Sequence, residues 1–265
     1  MPTQQSNTRS RRKSLYIVVV VLCVIALLSV FFLRSPKAVL SSFREKGQTY
    51  TTYEGILGER KKISLPDGTP VVLNSNTLLL VPADFAKSHM LLLDGEAYFD
   101  STAYPLTVKT NILTMTATKP AAFRMRCFES QQGATAYVVS GEVKVTKSYH
   151  SKTDDQPEML GPGNMVLANK EIDLMEKETY QPIEMTTWLQ DKLTFHDEPF
   201  MNTVRKLEEW YSTEIYVEGD VSAAGGINGE FHQASLTKVL DAIRQTAKFN
   251  YKISKDKVTI KFRPD

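Results

Sequence analysis

The chain has 265 residues, 42% hydrophobic and 23% charged, ordinary values for a globular protein with ample material for a core. Its net charge of +2 is uneven: residues 1–37 hold six of the 32 basic residues and no acidic one. The other 228 residues carry 26 basic against 30 acidic groups, which argues against a nucleic-acid-binding domain there.

The first predicted elements lie at the membrane. Residues 1–14 read as a short cytoplasmic tail, with Arg9, Arg11, Arg12 and Lys13 clustered before an apolar run. Leu15–Leu33 is 19 residues without a charge. As a helix it reaches roughly 28 Å, close to the ~30 Å hydrocarbon core of a bilayer. Arg34-Ser35-Pro36-Lys37 does not resemble a cleavage site, so the run is predicted to be an uncleaved transmembrane helix. The positive-inside rule then predicts a single pass through the inner membrane, a cytoplasmic N-terminus and a periplasmic bulk. Residues 34–53 are polar and read as a periplasmic stalk. Of the two cysteines, Cys23 lies in the apolar run and Cys127 far outside it, so no disulfide is expected.

Residues 54–180 predict an all-β domain of short antiparallel hairpins. Asp67-Gly68, Asp94-Gly95, Ser140-Gly141 and Pro162-Gly163 each separate two β-rich runs, and dipeptides of this kind are hairpin signals. Residues 150–160 read as an exposed loop and 169–187 as a connector with some extended structure.

From residue 188 to 263 the pattern changes to a small α+β domain. Asp197 is placed to cap a helix with Pro199 in its first turn, and Phe200, Val204, Leu207 and Tyr211 form its apolar stripe. Ser235 is placed to cap a second helix, whose buried face is Leu236, Val239, Leu240, Ile243 and Ala247. Strands flank both helices, and the chain closes on a hairpin around Lys255-Asp256. Trp188, Trp210 and Tyr211 fit either a core or an interface.

No catalytic constellation emerges. His89, His150, His196 and His232 have no metal-ligand spacing, and no phosphate loop, nucleophile elbow or CxxC motif is present. The reading is of a protein that is not an enzyme, with no cofactor, no metal and no small-molecule substrate.

The residues Leu65-Pro66-Asp67-Gly68-Thr69, Leu73-Asn74 and Gly95-Glu96-Ala97-Tyr98-Phe99, followed by Gly141 and Pro162-Gly163, resemble the motifs of the FecR family. The part after Trp188 is similar to the C-terminal domain of Bacteroidetes-type members, which resembles the short module at the N-termini of secretins and TonB-dependent transducers. The resemblance implies a membrane-anchored regulator that receives a signal from a TonB-dependent transducer and relays it to an extracytoplasmic-function sigma factor. Three departures stand out. Pro120-Ala121 precedes Phe123 where the family has Gly-Thr, and Arg124 replaces a small polar residue. Only residues 1–14 precede the apolar run, where relatives carry a helical sigma-binding domain. That leaves as alternatives an envelope scaffold that tunes a transporter without touching a sigma factor, and an envelope enzyme with an unrecognised site. The exposed strand edges expected to meet a partner are Glu214, Ile215, Tyr216 and Val217, and Val258 with Ile260.

Overall fold

The computed structural model describes residues 40–102, 105–254 and 257–262. The chain divides into two units, Met1–Ser41 and Ser42–Asp265, and the strands and hydrophobic cores belong to the second.

The strands of the first part are β1 (Tyr50–Glu54), β2 (Lys61–Ser64), β3 (Pro70–Leu73), β4 (Leu78–Pro82), then after a short helix α1 (Phe85–Ser88), β5 (Met90–Ser101), β6 (Leu106–Lys109) and β7 (Leu113–Ala117). They continue as β8 (Ala121–Cys127), β9 (Gly133–Ser140), β10 (Val143–Lys147), β11 (Glu158–Leu160), β12 (Asn164–Asn169) and β13 (Leu174–Thr179). Two sheets share the long strand β5. Its first half, Met90–Leu92, pairs with β6, and Leu92–Asp94 pairs with β4; its second half pairs with β3 and β8. The orders are β1-β4-β5-β6-β7-β10-β11 and β2-β3-β5-β8-β9-β12-β13.

Period-2 alternation builds one core from both sheets. In β8, Phe123, Met125 and Cys127 point inward and are fully buried, while Arg124 and Arg126 take the other face. Leu79, Leu91, Val108 and Met115 of one sheet join Leu73, Phe99, Phe123 and Val166 of the other in a single cluster. Phe99 and Phe123 stack with ring centroids 5.3 Å apart. Truncating either would cost about 3–5 kcal/mol.

Of the four glycine dipeptides, Asp67-Gly68 alone closes a hairpin. The Gly68 N–H donates to the Leu65 carbonyl at 2.9 Å, and the Asp67 carboxylate accepts from the Thr69 N–H at 2.9 Å. The other three mark places where the chain leaves one sheet for the other. Asp94-Gly95 sits inside β5, Ser140-Gly141 joins β9 to β10, and Pro162-Gly163 joins β11 to β12, all across the two sheets. At Gly95 the backbone has φ +131°, and a Cβ would lie 2.6 Å from the Thr77 Cα. A hairpin turn and a sheet corner both call for φ > 0, so the dipeptides alone do not tell one from the other. The strands are also not all antiparallel: β5 and β6 run parallel.

The expected stalk and connector are partly regular structure. Tyr50–Glu54 is β1, paired with β4. Within 169–187 lie β13, paired with β12, and the start of helix α2 (Pro182–Leu189).

The C-terminal part then runs β14 (Lys192–Pro199), α3 (Phe200–Tyr211), β15 (Glu214–Glu218), β16 (Gly226–His232), α4 (Leu236–Ala247), β17 (Phe249–Ser254) and β18 (Lys257–Phe262). The stripes of α3 and α4 pack into a second core with Phe195, Ile215, Phe249, Val258 and Ile260. Ser235 caps α4, accepting from the Lys238 N–H at 3.3 Å. Asp197 is not a cap. It lies in a bulge of β14 with φ +46°, and its N–H donates to Asn228 Oδ1 at 2.8 Å. The strand runs on to Pro199, and α3 begins at Phe200 without a side-chain cap. Lys255-Asp256 lies outside the described residues, although β17 and β18 on either side pair antiparallel.

The fold class expected from sequence needs correction. The described residues are mostly β, with 18 strands and four α-helices, none longer than 12 residues. No helix among them is long and apolar enough to cross a membrane. An apolar run is a span only where it folds as a helix of about 20 residues, and Leu15–Leu33 lies outside the described residues. The single-pass helix and the inner-membrane placement built on it are therefore not retained.

Candidate functional site

The outward face of the second sheet is the candidate site. Register places Glu96 opposite Arg126 and Tyr98 opposite Arg124 across β5 and β8, and Tyr137 of β9 opposite Arg124. These residues alternate with Ala97, Phe99, Phe123 and Met125, which face the core. A charged row therefore lies on a sheet face that the C-terminal part covers.

Glu96 is fully buried. Its carboxylate pairs with the Arg124 guanidinium and lies 3.5 Å from Arg126 Nη1. Asn74 Nδ2 donates to it at 2.8 Å, and the Ser212 hydroxyl donates as well. Burial alone would push this carboxyl up, but Arg124, Arg126 and the hydrogen bonds from Ser212 and Asn74 outweigh it and hold the group below its ordinary value. Glu96 is thus an ionised carboxylate with a complete set of donors.

The opposite wall comes from the C-terminal part. Ser212 ends α3 in the left-handed region, φ +46°, with its N–H on the Glu208 carbonyl. That turn aims its hydroxyl at Glu96, and Arg126 Nη1 donates to the same oxygen at 2.7 Å. Asn74 Nδ2 also reaches the Trp210 carbonyl at 3.0 Å. A non-glycine residue held at φ > 0 costs about 1–3 kcal/mol, which the hydrogen bonds of this network offset.

Arg60 forms a second lock. Its guanidinium carbon lies 4.1 Å from the Trp188 ring centroid and 4.3 Å from that of Trp210. Nη1 donates to the Trp188 carbonyl at 2.6 Å and to Asp191 at 3.0 Å. Burial lowers the Arg60 pKa to about 10, with Asp191 and Glu96 opposing the shift, so the side chain stays cationic at neutral pH. The Arg124 guanidinium carbon lies 4.6 Å from the Trp188 ring centroid. Trp188 is 3% exposed and is held by two arginines of the β part. Cation–π contacts contribute about 0.5–2 kcal/mol each, the upper end where they are desolvated as here.

The motif residues divide by role. Leu65, Thr69, Leu73, Ala97 and Phe99 are buried. Pro66, Asp67 and Gly68 shape the hairpin, and Gly95, Gly141, Pro162 and Gly163 lie at sheet crossings. Asn74 and Glu96 converge on the seam. Arg124, which stands out in the sequence only as a departure, is the partner of Glu96. Arg60, Arg126, Asp191 and Ser212 carry no sequence signal, because what unites them is the docking of two parts distant along the chain. Of the strands expected to meet a partner, β15 stands at the end of the order β15-β18-β17 among the described residues. The edge expectation fails for β18, which is the central strand, and Val258 and Ile260 are core residues at 0% and 1% exposure. Ile215 is also buried, whereas Tyr216 is 50% exposed.

Comparison with known proteins places this architecture. Residues 48–144 match the family model described as FecR protein, and residues 192–260 match that described as FecR, C-terminal. The chain belongs to the FecR family. It is similar to two crystal structures of a candidate anti-sigma factor from Parabacteroides distasonis ATCC 8503, at 25% identity and TM-scores of 0.54 and 0.55. The likeness covers 81% and 82% of this chain and 100% of each of those chains. No curated protein matches the chain.

Proposed function

We propose that this chain regulates an extracytoplasmic-function sigma factor and takes its input from the signalling domain of a TonB-dependent transducer. The supporting observation is the pair of FecR matches together with a likeness that spans the full crystallised chain of a candidate anti-sigma factor. The family is a regulatory one, so the chain's chemistry is that of binding rather than turnover. In this reading the C-terminal part is the receiver. Strand β15 is an end strand of its sheet among the described residues, and its edge, with Glu214 and Val217, is offered for addition of a partner strand. The seam around Glu96 and Trp188 passes the state to the β part, because a partner that pulls on α3 or β15 also pulls on Ser212.

The test is a pull-down of the full-length chain tagged after Asp265, with mass spectrometry of what is retained. Recovery of a sigma factor together with a TonB-dependent transducer is the expected result. A transducer without any sigma factor would leave only a scaffold that tunes a transporter and would sink the sigma-factor reading.

A further inference from the structure

A groove of about 540 Å³ opens beside the seam. One wall is apolar and aromatic: Trp188, Trp210, Tyr137 and Ile183. Its charged lining is Arg126 and Lys206, with Arg124 behind and a single acidic residue, Glu209. Two features show that the groove is not a finished internal contact. Ile183 presents 68% of its surface to solvent, an unusual state for isoleucine beside two tryptophans. Arg126 places Nη1 on Ser212 and Glu96, lies 5.0 Å from the Phe128 ring centroid and keeps 27% exposure. Around the groove, Arg124, Arg126 and Lys206 stand against Glu209 in the lining and Glu96 behind it, leaving one positive charge in excess.

We infer that this groove docks an acidic peptide segment of a partner protein, with an aliphatic or aromatic side chain set against Ile183 and Trp188 and a flanking carboxylate on Arg126 and Lys206. The charge pattern selects this occupant. The chain's own residues 1–37 carry six basic and no acidic residues and would be repelled. A nucleic acid is a long polyanion that would run beyond the groove onto the net negative remainder of residues 38–265, whereas a short peptide segment contacts the groove alone. An apolar anchor beside a carboxylate satisfies both the wall and the charged lining, and guanidinium–carboxylate pairing supplies direction. This inference is independent of the sigma-factor reading, since it concerns the groove alone.

The test uses the purified full-length chain and its own reporters, for both of its tryptophans, Trp188 and Trp210, line the groove. A short synthetic peptide alternating glutamate and leucine is titrated while tryptophan emission is followed. Saturable change is expected, with little response to the same peptide carrying glutamine for glutamate or serine for leucine. Lys206→Glu, on a half-exposed side chain, should weaken binding about fivefold. Ile183→Asp, on an exposed one, should weaken it at least about tenfold. Ile183 is exposed and outside both cores, whereas Lys206 Nζ donates to the Thr194 carbonyl at 2.8 Å and lies 5.3 Å from the Phe195 ring centroid, so binding is read only in variants whose circular dichroism and urea midpoint match the wild type. No spectral change at millimolar peptide, equal binding of the glutamine peptide, or full affinity in both variants would each overturn the proposal. A dimer in the wild type that Ile183→Asp dissociates would overturn it too, by assigning the groove to a second copy.

Discussion

Glu96 concentrates the energetics of the molecule in one side chain. It is fully buried, yet ionised, because Arg124, Arg126, Asn74 and Ser212 surround it. Replacing it with glutamine keeps the shape but leaves two guanidiniums without a counter-charge. Breaking a buried pair this way costs about 3–5 kcal/mol. Arg126 retains 27% exposure and can partly resolvate, so Glu96→Gln is expected to cost about 2–3 kcal/mol in urea unfolding. The pH dependence carries the same sign. A carboxyl whose folded pKa is lowered contributes stability that is complete above its unfolded value, near 4.5, and is lost as pH falls through the lowered folded value. The wild type should therefore lose stability on acidification below about pH 4.5 more steeply than Glu96→Gln. Parallel acid limbs for the two proteins would show that Glu96 is not the ionised hub the geometry describes.

At the scale of elements, the corners of the two sheets depend on glycine for two separable reasons. Gly163 has φ +79° with open space where a Cβ would stand, so only backbone preference is at stake. Gly95 has φ +131° and in addition faces Thr77, whose Cα, Cβ and Oγ1 all lie under 3.0 Å from a Cβ. Gly163→Ala is expected to cost about 1 kcal/mol and Gly95→Ala about 2–4 kcal/mol, measured by thermal or urea unfolding. Equal costs would mean that β5 slides to relieve the contact. These corners also show what the sequence could and could not reveal. The stripes of α3 and α4 are periodic over three turns and were legible, as were the Ser235 cap and the Leu65–Thr69 hairpin. Positive φ at Gly95, Gly141 and Gly163 was legible too, but not which sheet the next strand would join, because that is decided by partners far along the chain. Helix α2 was hidden for the same reason. It is eight residues long, and Trp188 fixes it against Arg60 and Arg124, a contact that no local pattern encodes. In the site, Asn74 and Glu96 were visible as motif residues, while their partners were visible only once the two parts docked.

At the scale of the whole molecule, two hydrophobic cores meet through a seam that is polar and cationic rather than apolar. Such a junction has a different physics from a core. An apolar interface tolerates sliding, whereas the Glu96 network must keep every donor in place or leave a buried charge poorly solvated. The seam is therefore stiff up to a threshold and then gives way, which suits an element that must hold one state until a partner pulls. Its strength sums several terms: cation–π contacts of about 0.5–2 kcal/mol each and hydrogen bonds of about 0.5–1.5 kcal/mol each. A coupling of several kcal/mol is enough to make two cores of unequal stability unfold together. Wild-type urea unfolding should show one transition, coincident by tryptophan emission, which reports the seam, and by far-ultraviolet circular dichroism, which reports both cores. In Glu96→Gln the two signals should separate, with emission changing at lower urea as the seam opens before either core melts. Coincident curves in the variant would mean that the cores are joined by contacts other than this seam, and would remove the seam as the proposed link between them.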